Sequence, residues 1–153
     1  MADTVRLGID WGKARIGVAA ANAGTSFAYP VETVQAGPDE LRRLAAIVAE
    51  YEPALVYVGL PLTLAGERGL AAAFVEDKAA GLAAALAPVP VRLVDERMST
   101  VSASRSLGSA GRRAKQQRQV IDQAAAVDIL QRALDMEDRS GAPAGEPAPR
   151  EAQ

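Results

Sequence analysis

The sequence predicts an α/β fold: a mixed central sheet of about five strands, three antiparallel and then parallel, with helices on both faces. Three observations carry that reading. Three strand-length apolar runs stand close together at the start of the chain. Two almost wholly apolar runs follow, of the kind buried parallel strands show. Helical patterns separate and follow those later runs, which is the order of βαβ crossovers.

The elements can be justified in turn. Residues 5–10 (VRLGID) and 15–20 (RIGVAA) are strand-length runs joined by the tight, polar Trp11–Ala14 connection, as in a hairpin. A third, weaker run covers 27–34, where Pro30 points to an edge position or a bulge. Pro38-Asp39-Glu40 opens a helix with Leu41, Leu44, Ala45 and Val48 on one face. Pro53 divides it from the apolar run 54–60, a buried parallel strand. A loop at 61–68 precedes an alanine-rich helix over 69–87, stopped by Pro88 and Pro90. Residues 91–94 form the last strand, running directly into Asp95-Glu96-Arg97. Ser99 or Thr100 caps a short helix ending near Gly108. A basic loop reaches about 116, and a final helix spans about 117–135. The segment from 136 to 153 holds three of the nine prolines and no apolar pattern, so it is expected to be a disordered acidic tail outside a 1–135 domain.

Composition narrows the chemistry. The 153 residues suit one domain, and 33 alanines suggest closely packed helices. No apolar run reaches the roughly 18 residues of a spanning helix, and residues 1–8 carry no apolar signal region, so a cytoplasmic location is expected. Cysteine is absent, which removes disulfides, thiolate nucleophiles and cysteine-bound zinc. Histidine is absent too, so Ser–His–Asp hydrolysis cannot operate. Hydrolysis in this chain must use carboxylates, Lys, Ser/Thr or a carboxylate-bound metal. The net charge of −2 hides an asymmetry. Arg92 to Arg118 holds seven basic residues against Asp95 and Glu96, while Asp135 to Gln153 holds five acids against two arginines. Such asymmetry bears on partners rather than on fold.

Ligands of open α/β sheets gather at the carboxyl ends of parallel strands. Asp10 falls at the end of the first strand, flanked by Gly8 and Gly12, and Asp95 and Glu96 follow the last. Asp122 heads a stripe formed by Ala125, Ala126 and Ile129, whereas Asp128 stands four residues before Arg132, as in an ordinary surface pair. Taken alone, Asp10 fits a turn residue bonded to its own loop, and Asp122 an acid favoured in a helix's first turn. Inward acids from the first strand, the last strand and the last helix together favour a metal site, because a carboxylate facing the fold is costly unless paired or metal-bound.

Four blocks carry a family resemblance: residues 7–19 (LGIDWGKARIGVA), 58–62 (VGLPL), 95–100 (DERMST) and 121–126 (IDQAAA). In this order they resemble the YqgF/RuvX family, over about residues 5–135. These are small RNase H-like proteins to which pre-16S rRNA processing and, in some members, Holliday junction resolution are ascribed. The resemblance implies an RNase H-like fold and a catalytic, metal-binding trio of Asp10, Glu96 and Asp122. Asp95 is a neighbouring fourth acid; adjacent strand residues point to opposite faces, so the two are not expected to reach one metal together, and the resemblance puts Glu96 there. Thr63 stands where the family often carries Asn.

The implied chemistry suits these residue types. Phosphodiester hydrolysis needs a nucleophile made from water and charge neutralisation at the attacking and leaving oxygens, which two divalent ions about 3.5–4 Å apart supply. Carboxylates are matching hard ligands for Mg²⁺, with Mn²⁺ as the alternative. Arg15, Arg97, Arg112, Arg113 and Lys115 are expected to hold substrate phosphates without reading sequence, although the last three also fit a solvated loop. The loop from Gly59 to Gly69, before the next helix N-terminus, is a candidate phosphate seat. Trp11, beside the site, either stacks on a base or packs.

The expected function is a nuclease acting on structured RNA, trimming the 5′ end of pre-16S rRNA. Holliday junction resolution is the alternative on branched DNA and requires a dimer with paired sites. A non-catalytic ribosome-assembly factor would keep the fold without the chemistry. An ATP-binding module of the actin type would need a second such domain. The chain is expected to act as a monomer or homodimer, without a membrane partner, and the tail to be dispensable for cleavage.

Overall fold

The computed structural model describes residues 4–63, 65–96 and 114–149, with the backbone alone described for 114–122. Strands β1 (Arg6–Trp11), β2 (Arg15–Ala21) and β3 (Tyr29–Gln35) form an antiparallel meander. Helix α1 (Glu40–Tyr51) leads to β4 (Leu55–Leu60), and α2 (Leu70–Leu86) leads to β5 (Val91–Asp95). A long helix, α3 (Ala114–Ser140), and a two-residue strand, β6 (Glu146–Pro147), complete the described elements. The sheet order is β3-β2-β1-β4-β5-β6, with β1, β4 and β5 mutually parallel and the other pairings antiparallel.

The expected sheet is therefore present, one strand wider than predicted. A bulge between Val18 and Ala19 accommodates Pro30 on the edge strand. The alternation of strand side chains divides the interior in two. Leu7, Ile9, Trp11, Ile16, Val18, Val56, Val58 and Leu60 face α1 and α2, where Leu44, Ile47, Val75 and Leu82 meet them. On the other face, Ala19, Ala21, Leu55, Tyr57 and Val94 meet Ala126, Ile129, Leu130, Ala133 and Leu134 of α3. Small residues let α3 lie close to the strands. A Cβ on Gly8 would stand 2.6 Å from Leu130 Cβ and 3.2 Å from the Ala126 carbonyl oxygen.

The segment expected to be a disordered tail is folded as far as it is described. Helix α3 continues past 135 to Ser140, and Glu146–Pro147 pairs with Leu93 and Arg92 of β5. The cause is a buried polar cluster. Arg6, fully buried, donates from Nη1 to Glu137 Oε1 at 2.7 Å and from Nη2 to the Thr25 carbonyl at 2.7 Å. Tyr57 donates its hydroxyl to Glu137 and accepts from the Ala144 N–H at 3.1 Å. Burial, then the Glu137 carboxylate, push the Tyr57 hydroxyl well above the usual phenol range. Arg92 then holds the Ala144 and Gly145 carbonyls at 2.7 and 2.6 Å. Gly145 has φ +68 and approaches Leu93 so closely that no side chain fits. The short helix expected before Gly108 and the basic loop up to 113 lie outside the described residues.

Candidate active site

The carboxyl ends of β1, β4 and β5 point the same way, and each delivers part of the site there. Asp10, half-buried, pairs with Gly17 of β2 and lies one step beyond the Ile9–Val58 pair with β4. It therefore stands beside Gly59. Asp10 also shares the strand face of Gly8, which is the face α3 covers. Arg15, at the start of β2, lies on that face as well and is half-buried. The turn between them is closed by Gly12, whose N–H donates to the Arg15 carbonyl at 2.9 Å. A Cβ on Gly12 would stand 2.6 Å from that same carbonyl oxygen.

Glu96 follows β5, and its N–H extends the pairing to the Leu60 carbonyl at 3.3 Å. Its half-buried side chain reaches back over β4: a Cβ on Gly59 would lie 2.6 Å from Glu96 Oε2 and 2.5 Å from Ile129 Cδ1. Gly59 thus supplies the space the carboxylate occupies, between β4 and α3 and next to Asp10. The geometry sets Glu96 over Gly59 and Asp10 at the strand position beside it, on the face closed by the helix that carries the third expected acid. Asp122 is in α3, one to two turns before the buried Ala125, Ala126 and Ile129, and its side chain lies outside the described residues. Among the described residues no three acids form a metal-holding cluster. The donors present are nevertheless hard carboxylate oxygens, and the absence of a side chain at Gly59 leaves room for one of them. Both features fit a divalent cation of the Mg²⁺ type.

Asp95 is exposed and borders a hollow of about 180 Å³ between β5 and α3, shared with Val94, Arg132, Met136 and Arg139. Trp11 packs: it is 4% exposed, within the core beneath α1 and α2, with its indole Nε1 buried and unbonded among the described residues. Thr63 closes its own loop, its hydroxyl accepting from the Glu67 N–H at 3.0 Å and its N–H donating to the Glu67 carbonyl at 2.9 Å. Asp128, expected at the surface, is half-buried and has Oδ2 enclosed without a hydrogen-bond partner among the described residues. Arg97, Arg112 and Arg113 lie outside the described residues, and Lys115 falls in α3 with only its backbone described. The sequence reading passed over Gly59 as a positioning residue. The signal available for it was a lone glycine late in an otherwise apolar strand, which often marks a close approach.

The family model for RuvX, described as Holliday junction resolvase, matches residues 4–136. The chain belongs to the RuvX family. Among its relatives, a "Putative pre-16S rRNA nuclease" of Cutibacterium acnes is 56% identical over 131 residues, covering 86% of this chain and 82% of that one. A protein of the same name from Streptomyces coelicolor is 55% identical over 143 residues, covering 92% and 86%. The solved structure of Thermus thermophilus RuvC with a Holliday junction substrate aligns over 94% of this chain and 99% of its own, with TM-score 0.52 and 21% identity. That likeness shows the RNase H-like fold. As a RuvX member this chain is a nuclease, a hydrolase acting on phosphodiester bonds. No helix among the described residues is long and apolar enough to cross a membrane.

Proposed function

We propose that this RuvX protein is a metal-dependent nuclease that processes the 5′ end of pre-16S rRNA in the cytoplasm, as a monomer or homodimer. The observation that supports the reading is that Glu96 lies over the side-chain-free Gly59, beside the strand position of Asp10. The names of its relatives favour RNA as substrate.

In this reading Asp10, Glu96 and Asp122 hold the cation, Mg²⁺ or Mn²⁺. When bound, it would neutralise charge on the phosphoryl oxygens and lower the pKa of water. The protein's own part is placement. Asp10 is fixed by its pairing with Gly17 of β2, one step beyond the last β1–β4 pair, so its carboxylate has a set origin at the sheet's end. Glu96 lies over Gly59, in a space that Ile129 also borders, which restricts its rotamers. Arg15, on the same face, would hold a substrate phosphate, with Arg97, Arg112, Arg113 and Lys115 extending that contact along the backbone of the RNA.

The family model's description favours a second reading, Holliday junction resolution, which needs two sites in one assembly. One experiment separates the two. Wild type and Asp10→Asn are given a 5′-extended 16S rRNA precursor and a four-way DNA junction, with Mg²⁺, Mn²⁺ or EDTA. Metal-dependent RNA cleavage lost in Asp10→Asn is the expected result. Paired symmetric cuts in the junction would replace it with the resolvase reading. Equal RNA binding by both proteins with no cleavage of either substrate would leave an assembly factor.

A further inference from the structure

A second surface at the same end of the sheet is not used by the site described above. Lys13, in the turn between β1 and β2, sets Nζ 5.8 Å from the centroid of the Phe74 ring, and Lys78 sets its own at 5.7 Å. Both distances fall within cation–π range. Phe74, half-buried in the first turns of α2, rests one part of its ring on the core. Leu70, the first residue of α2, is 92% exposed. The Lys78 charge is partly taken up by Glu40 Oε2 at 2.9 Å. No carboxylate among the described residues pairs with Lys13.

We propose that Lys13, Leu70 and Phe74 form a contact surface for a single-stranded stretch of the RNA substrate, the ammonium meeting a phosphate and the Leu70–Phe74 step meeting a base. The inference rests on the RNA-processing reading above. A cation beside a small apolar step complements the two parts of a nucleotide, and single-strand binding surfaces combine these features. Paired bases keep their faces in the stack, so an unpaired stretch is the form that fits. The placement is apt: Lys13 is three residues from Asp10, and the N-terminus of α2 opens at the strand ends that carry the carboxylates. A second copy of the chain fits less well. Two apolar side chains fall far below the roughly 800 Å² per partner that a stable protein interface buries.

The test measures binding without cleavage. A fluorescein-labelled single-stranded RNA and a blunt RNA duplex of equal length are titrated in EDTA, at several salt concentrations, with wild type, Lys13→Gln, Leu70→Ser and Phe74→Leu. Phe74→Leu keeps an apolar body on the core, and thermal melts verify that each variant is folded. Lys13→Gln is expected to reduce the slope of log affinity against log salt by about 0.7, as loss of one phosphate contact does on single strands. Leu70→Ser and Phe74→Leu are expected to weaken single-strand binding about tenfold, with little change for the duplex. Wild-type affinity and slope in all three variants would overturn the proposal. So would self-association of the wild type, seen by sedimentation, that Leu70→Ser abolishes while RNA binding is unchanged. Should Asp10→Asn abolish cleavage while the three variants bind as wild type, this surface alone fails. Should wild type neither bind nor cut RNA, the functional reading fails and takes the surface with it.

Discussion

Glycine 59 does as much for the proposed chemistry as the acids it separates. Its missing side chain is what lets Glu96 lie over β4, so Gly59→Ala would set a methyl group 2.6 Å from Oε2 and 2.5 Å from Ile129 Cδ1. Both neighbours are side-chain ends and can shift, so the fold is expected to survive with a loss of about 1–3 kcal/mol from overpacking. Cleavage should fall at least tenfold, because Glu96 is displaced. A Gly59→Ala protein that melts lower but cuts at the wild-type rate would separate Glu96 from the reaction. Direct removal of the proposed ligand groups is expected to be harsher. Asp10→Asn and Glu96→Gln should each lose more than about a hundredfold, beyond the 10- to 100-fold cost typical of groups that only orient a metal's ligands. Isothermal titration of Mg²⁺ or Mn²⁺ into the same variants gives a readout besides activity. The place of Asp10 near the end of a strand was legible in the sequence, from the apolar run that Asp10-Trp11-Gly12 closes. The choice of Glu96 over Asp95 came from the family resemblance; in the structure Glu96 is half-buried and Asp95 exposed.

At the scale of elements, α3 is clasped to the sheet by one buried ion pair at the end opposite the site. Replacing Glu137 by Ala leaves Arg6 charged, fully buried and without its carboxylate, a loss of about 3–5 kcal/mol. Tyr57→Phe removes a donor to Glu137 and an acceptor from Ala144, and about 1–3 kcal/mol is expected. Urea unfolding of both variants checks the order, with Glu137→Ala the more damaging. Helices α1 and α2 are joined more modestly, by Glu40 and Lys78. Burial raises the Glu40 pKa, but the Lys78 hydrogen bond and the Gly37 N–H outweigh it and hold the carboxyl below its ordinary 4.5. A lowered folded-state pKa contributes stability above the unfolded value and loses it as pH falls through the folded one. Thermal melts should therefore show wild type losing stability below pH 4.5 more steeply than Glu40→Gln. Parallel acid dependence in the two proteins would mean the pair adds nothing.

For the whole molecule, the sequence showed what periodicity can show and missed what depends on distant partners. Strands β1 to β5 and helices α1 and α2 follow from apolar runs broken by Pro and Gly. Trp11 could not be assigned to core or to substrate from its position alone, because a strand end offers both. The C-terminal segment was misread for a related reason. Glu137 lies between Met136 and Asp138 in an acidic stretch that looks like solvent-exposed surface, and its partner Arg6 is 131 residues away. Without that pairing there is no local reason for the chain to return along β5.

Two truncations follow from this arrangement. A protein ending at Asp135 loses Glu137 and strands Arg6, so it is expected to unfold or to melt far below the full chain. One ending at Ser140 keeps the Arg6–Glu137 pair but uncovers Arg92 and Leu93 of β5, whose backbone groups then lack their edge partner. It should fold, melt lower than the full chain, and self-associate at high concentration, as seen by light scattering. Its cleavage rate per folded molecule should match the full chain, since none of Asp10, Glu96 and Asp122 contacts the deleted strand through β-pairing. Equal melting of the 1–135 protein and the full chain would show that the Arg6–Glu137 clasp contributes nothing to the fold. A 1–140 protein that stays folded yet loses cleavage would show instead that the C-terminal strand reaches the site.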